Sequence, residues 1–282
     1  YLNGIMLIST ALNFQALDFA TGNELPYILY VPSYTATAWY HKKLPAGLQS
    51  LSLQDVLKQS ETFASGEYAT ALMKGNTISD SEAKDIAQKL SRLTGISQGF
   101  ILEANLRLHL DRFTKELMRS DRLTVGRLDS RFTGRDADAA GEAYSYDPSY
   151  AAIQGVFTSN LNSYLRGELK YESDLPYEIL TGRVAPWNFG NGSQYLNVSD
   201  TLRQAMSENP DLKVYVACGY YDMATPYFAA DYVFQHLGLE PALRSHLTMG
   251  YFEAGHMMYI QKASLEKLKS ELATFMASAL PH

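Results

Sequence analysis

A chain of 282 residues that is 46% hydrophobic and 19% charged can close a packed core, which excludes global disorder. Acids and bases are mixed to a formal net charge of −6, so no basic stripe offers itself to a nucleic acid, and no apolar run reaches membrane-spanning length. Cys218 is the only cysteine and the six histidines make neither an HExxH nor a helically spaced pair, so no intrachain disulfide, metal site or cofactor is expected.

Leu2-Asn3-Gly4-Ile5-Met6-Leu7-Ile8-Ser9 predicts a buried strand from the very start. No polar leader precedes it, and the expectation is a chain that begins inside a domain, with upstream sequence cleaved off or absent. The alternative is a mature N-terminus that opens with a strand. Pro26 and Pro32 then bracket Tyr27-Ile28-Leu29-Tyr30, which suits a short extended piece or one helical turn.

Residues 34 to 176 read as mostly helical. Leu53, Val56, Leu57, Phe63 and Tyr68 fall near helical spacing. Ser79-Asp80-Ser81-Glu82 is a capping box that opens a helix with an apolar stripe of Ala83, Ile86, Ala87, Leu90 and Leu93, closed by Gly95. Phe100 to Met118 predicts another amphipathic helix, and Val125 to Ala140 a loop or short strand. Asp147-Pro148 is a helix start, with helix following over Ala152 to Leu165.

From 177 onward, strands and helices alternate. Ser199 is expected to cap a helix through Met206. A strand over 212–217, a helix from about Pro226 to Leu237, a strand from Arg244 to Phe252 and a long terminal helix from Leu265 to Leu280 follow. This order predicts parallel strands.

Two predicted strands end in loops that carry one ionisable residue each. The first is Cys218-Gly219-Tyr220-Tyr221-Asp222-Met223-Ala224-Thr225-Pro226, and the second is Phe252-Glu253-Ala254-Gly255-His256-Met257-Met258. In open α/β sheets ligands bind at that edge. An Asp there, followed by a His one helix and one strand later, is the acid-then-base order of α/β-hydrolases. His256 would take the proton of a serine hydroxyl, and Asp222 would hold the imidazole in the right tautomer. Taken singly, Asp222 could equally cap the helix near Pro226, and Gly255-His256 could be a turn.

The segment Cys218 to Pro226 resembles that around the catalytic Asp of the serine carboxypeptidases, and Ala254-Gly255-His256-Met257 resembles the one around their catalytic His. Leu2 to Asn13 is similar to the strand following that family's nucleophile helix. The resemblance implies an α/β-hydrolase core, incomplete at its N-terminus, formed by 1–33 and 177–282. A largely helical cap insertion would fill 34–176. It implies hydrolysis of a C-terminal peptide bond through an acyl-serine intermediate, with a peptide as substrate, and activity favoured at acidic pH if the family's usual carboxylate-binding acids lie upstream of this chain. By resemblance, Met257 could line the pocket for the departing residue, while Trp187, Tyr195, Tyr34 and Tyr40 could form an aromatic acyl-side pocket. Two departures stand out: Ser9-Thr10-Ala11 replaces the usual Gly-Asn-Gly, and the family's disulfides are impossible with one cysteine, which points to a bacterial-type member.

No G-x-S-x-G elbow occurs in the 282 residues; Gly190-Asn191-Gly192-Ser193 comes closest. A missing N-terminal segment or a second chain is therefore expected to supply the nucleophile. An esterase or acyltransferase, a proline-directed aminopeptidase and a binding module without any serine nucleophile are the alternatives. The resemblance leans toward a secreted or periplasmic protein.

Overall fold

The computed structural model describes residues 2–187 and 194–280. Its strands in chain order are β1 (Gly4–Ile8), β2 (Thr124–Val125), β3 (Thr133–Gly134), β4 (Lys213–Gly219) and β5 (Leu247–Phe252). β1, β4 and β5 make a parallel sheet with β4 in the centre, flanked by helices, while β2 and β3 pair antiparallel. The expected parallel order is present. The last strand is shorter than the sequence suggests, because Pro241–His246 winds into a 3-10 turn before Leu247.

β4 is covered on both faces, which explains its unbroken apolar run. Val214, Val216 and Cys218 pack with Ala229, Ala230, Val233 and Phe234 of the helix Tyr227–Gln235, and with Leu53 and Leu57 of the helix Leu53–Phe63. On the other face, Tyr215 and Ala217 meet Leu268 and Phe275 of the terminal helix Lys262–Ala279. The helical segment and the sheet thus share one apolar layer. No helix among the described residues is long and apolar enough to cross a membrane.

The helical segment has its own core around the helix Val31–Tyr40, which is buried on every side from Val31 to Ala38. Ser79 caps the helix Asp80–Thr94 by accepting from the Glu82 amide, and Gly95 closes it at φ 73°. The reciprocal half of the capping box is replaced: the Glu82 carboxylate takes the Lys74 ammonium at 2.6 and 2.8 Å, a charged donor in place of an amide. The expected helix over Phe100 to Met118 is two, Gln98–Glu103 and Leu110–Glu116, broken where Asn105 and Leu106 take positive φ. Buried tyrosines hold that break: Tyr68 donates to the Leu106 carbonyl and Tyr34 to the Leu108 carbonyl, which helical geometry would have used internally.

Asp147 caps the helix Pro148–Ser163 as expected, accepting from the Ser149 amide at 2.9 Å. The later helix begins at Ser199 itself and runs to Glu208; the capping oxygen belongs to Asn197, which accepts from the Ser199 amide. The Gly190–Ser193 stretch lies outside the described residues.

Candidate active site

The register of the central pair sets the site. Gly219, at the end of β4, lies opposite Phe252, at the end of β5. Asp222 follows three residues later and His256 four residues later, so both loops leave the same edge of the sheet. Asp222 Oδ2 and His256 Nδ1 are 2.9 Å apart. Asp222 is fully buried, and the His256 side chain keeps 31% of its exposure.

The two oxygens of Asp222 divide the work. Oδ1 accepts from the amides of Ala224 and Thr225 at 2.7 and 2.9 Å, which is the turn-capping role open to any Asp in this place. Oδ2 accepts from Thr225 Oγ1 at 2.7 Å and from His256. A carboxylate only accepts, so Nδ1 carries the proton and Nε2 is the nitrogen that can act as base. Burial works against a charged imidazolium, but the hydrogen bond and charge of Asp222 outweigh it and raise the His256 pKa above the ordinary histidine value.

The turn between β2 and β3 clamps both loops through backbone hydrogen bonds. The Leu128 carbonyl accepts from the His256 amide at 2.7 Å, the Arg127 carbonyl from the Met223 amide at 3.0 Å, and the Ser130 amide donates to the Tyr221 carbonyl at 3.0 Å. Buried Asp129 accepts from the Gly255 amide at 3.2 Å and pairs with Arg131, whose guanidinium also donates to the Glu253 carbonyl and lies over the Tyr221 ring. Behind the turn, His41 Nε2 donates to the Ser130 carbonyl at 2.7 Å.

Ser9 is the hydroxyl brought to the dyad from β1, at φ 52°, but its Oγ donates to the His256 carbonyl at 2.6 Å and not to the ring. Sequence reasoning missed Ser9, Thr225 and the Asp129-Arg131 brace. The available signal was the alternation of Arg127, Asp129 and Arg131 within a turn-rich stretch.

A cleft of about 580 Å³ opens beside the acid loop, lined by Met223 and Ala224 with Phe14, Leu17, Phe19, Tyr30 and Leu110. Of the expected pocket residues, Tyr195 lines this cleft. Trp187, 66% exposed, and half-buried Met257 do not line it. Tyr34 is corrected: it is fully buried and stacked on Phe113 at 4.0 Å, because its helix is the centre of the helical core. Tyr40 is 44% exposed and sets its ring edge against Tyr221. Among the described residues no group of acids, histidines or cysteines is arranged to hold a metal ion. No family model, curated protein or solved structure matches the chain.

Proposed function

We propose that this chain carries the acid and base of a serine carboxypeptidase-like hydrolase of the α/β-hydrolase fold, in which Asp222 and His256 serve a serine supplied by a segment or second chain outside these 282 residues. The observation that carries the reading is the 2.9 Å bond from His256 Nδ1 to a fully buried carboxylate at the strand ends. It leaves Nε2 to take the serine proton as the hydroxyl oxygen attacks the scissile carbonyl. Asp222 stabilises the imidazolium that forms, and the imidazolium then returns the proton to the leaving amine. Water repeats the sequence on the acyl-serine. The site for the added segment would be β1: β4 pairs one of its edges, no described strand pairs the other, and Met6 and Ile8 are partly exposed.

The test is fluorophosphonate labelling of the protein as isolated, followed by intact-mass analysis under denaturing conditions. The expected label sits on a larger polypeptide containing this chain or on a companion chain, and blocked peptides are cleaved in preference to simple esters. His256→Ala should lower turnover by about 10⁴-fold or more. Absence of label from every species would overturn the hydrolase reading, and label on Ser9 would overturn the assignment of the nucleophile.

A further inference from the structure

The Asp222–His256 pair contains a third side chain to which acid-base chemistry alone gives no task. Thr225 Oγ1 donates to Asp222 Oδ2 at 2.7 Å and lies 3.2 Å from His256 Nδ1, while Oδ2 and Nδ1 are 2.9 Å apart. The three atoms close a triangle. The hydroxyl proton is committed to the carboxylate, so the hydroxyl oxygen meets the Nδ1–H with its lone pairs. The ring proton is thus shared between a strong acceptor, Oδ2, and a weak one, Oγ1. Oδ2 in turn divides its accepting capacity between two donors.

The hydroxyl is aimed by the backbone around it. The Thr225 amide donates to Asp222 Oδ1 at 2.9 Å, so one residue bonds both oxygens of the acid, Oδ1 through its main chain and Oδ2 through its side chain. Pro226 follows and disfavours helical dihedrals for Thr225, and the helix Tyr227–Gln235 starts only after it. A β-branched side chain on so restricted a backbone has few rotamers open to it. Turn capping accounts for the amide contact, which any residue other than proline could supply. It does not account for a hydroxyl placed within reach of the ring.

We propose that Thr225 is a positioning residue of the dyad: its hydroxyl shares Asp222 Oδ2 with the His256 ring, holds the Nδ1 edge of the imidazole against the acid, and tempers the acid's hold on the imidazolium. The inference rests on the hydrolase reading for its meaning in catalysis, but its first test needs no turnover. A base held too tightly by its acid returns the proton poorly to a leaving amine, and Thr225 keeps the pair from that limit. The charges that act on the ring are those of Asp222, which favours the imidazolium, and Arg127, which opposes it. Thr225 works on the first of these through a hydrogen bond.

The sign of the effect separates this role from a purely structural one. Disrupting the acid loop would take Asp222 away from the ring and lower the His256 pKa. Removing the second donor from Oδ2 leaves the carboxylate freer to hold the imidazolium and raises it. NMR titration of the His256 ring in the protein as isolated should give a higher midpoint in Thr225→Val. It should do so again in Thr225→Ala, whose smaller side chain guards against a misfit of the first. Thr225→Ser, which keeps the hydroxyl, should titrate as the parent does. With blocked peptides as substrate, kcat should drop about tenfold in Thr225→Val at unchanged KM and return in Thr225→Ser. A midpoint that stays or falls in the hydroxyl-free variants, a serine variant that shifts with them, or a kcat untouched by loss of the hydroxyl overturns the inference. Failure of fluorophosphonate labelling would strike the hydrolase reading, while the titration would still decide the role of Thr225.

Discussion

Asp222 does two jobs because a carboxylate has two oxygens, and the substitution that separates them is Asp222→Asn. The asparagine oxygen can still accept from the Ala224 and Thr225 amides, so the turn survives. Its amide nitrogen cannot accept the Nδ1 proton, so the imidazole loses the partner that lifts its pKa. NMR titration of the His256 ring should show a lower pKa in the variant, and an unchanged titration would mean that Asp222 does not control the base. The sign for stability follows from the same shift. Since His256 is raised in the folded state, the dyad contributes stability that is fully present below the ordinary histidine value and lost as pH rises through the folded one.

At the scale of elements, the turn between β2 and β3 carries the most information per residue. It fixes the acid loop and the base loop by main-chain hydrogen bonds, so the dyad depends on a segment some 90 residues upstream of Asp222 in the chain. Close approach makes this possible. A Cβ on Gly255 would collide with the Asp129 side chain and lie 2.5 Å from the Leu128 carbonyl oxygen. Gly255→Ala should therefore cost about 1–3 kcal/mol of stability. It should also move the His256 resonances, since its amide bonds to that same carbonyl. Denaturant unfolding and a two-dimensional NMR spectrum check this; a variant with unchanged stability and spectrum would show that the clamp is slack. Caps and stripes at this scale were legible in the sequence, as with Ser79, Gly95 and Asp147. The break at Asn105-Leu106 was not, because it is held by Tyr34 and Tyr68 from distant helices.

Across the whole molecule, the helical segment meets the sheet layer through a half-buried cluster of acids and tyrosines. Tyr227 donates to Glu61 at 2.8 Å, and Tyr251 donates to Asp231 at 2.6 Å. Burial pushes Asp231 up to about 6, opposed by the Tyr251 hydrogen bond and reinforced by Glu61. The folded chain thus keeps a proton that the unfolded chain releases near 3.8, so this group's contribution to stability falls as pH rises between those values. Asp231→Asn should lose that dependence. Its melting temperature relative to the parent should improve from pH 4 to pH 7, and a constant difference would show that Asp231 does not carry the proton.

What the sequence determined by itself is whatever depends on local periodicity and on order along the chain. β1, β4 and β5 in parallel order and the placement of an acid and a histidine past two strand ends could be read from spacing; Asp222, which could have capped the helix near Pro226, instead accepts from the Ala224 and Thr225 amides of its own loop, and that helix starts at Tyr227 with no side-chain cap. The pairing of Asp222 with His256 was legible because parallel strands send their ends to one edge. The rest was decided by tertiary structure. Tyr34 looked like a pocket residue and is core, since burial depends on what surrounds a helix and not on its own letters. Ser9 and Asp129 gained their places only when segments far apart in the chain were brought within hydrogen-bond reach, whereas Thr225 bonds Asp222 within one loop and reaches the His256 ring from there. A contact between distant segments leaves no period in the sequence, and so it was the fold that disclosed them.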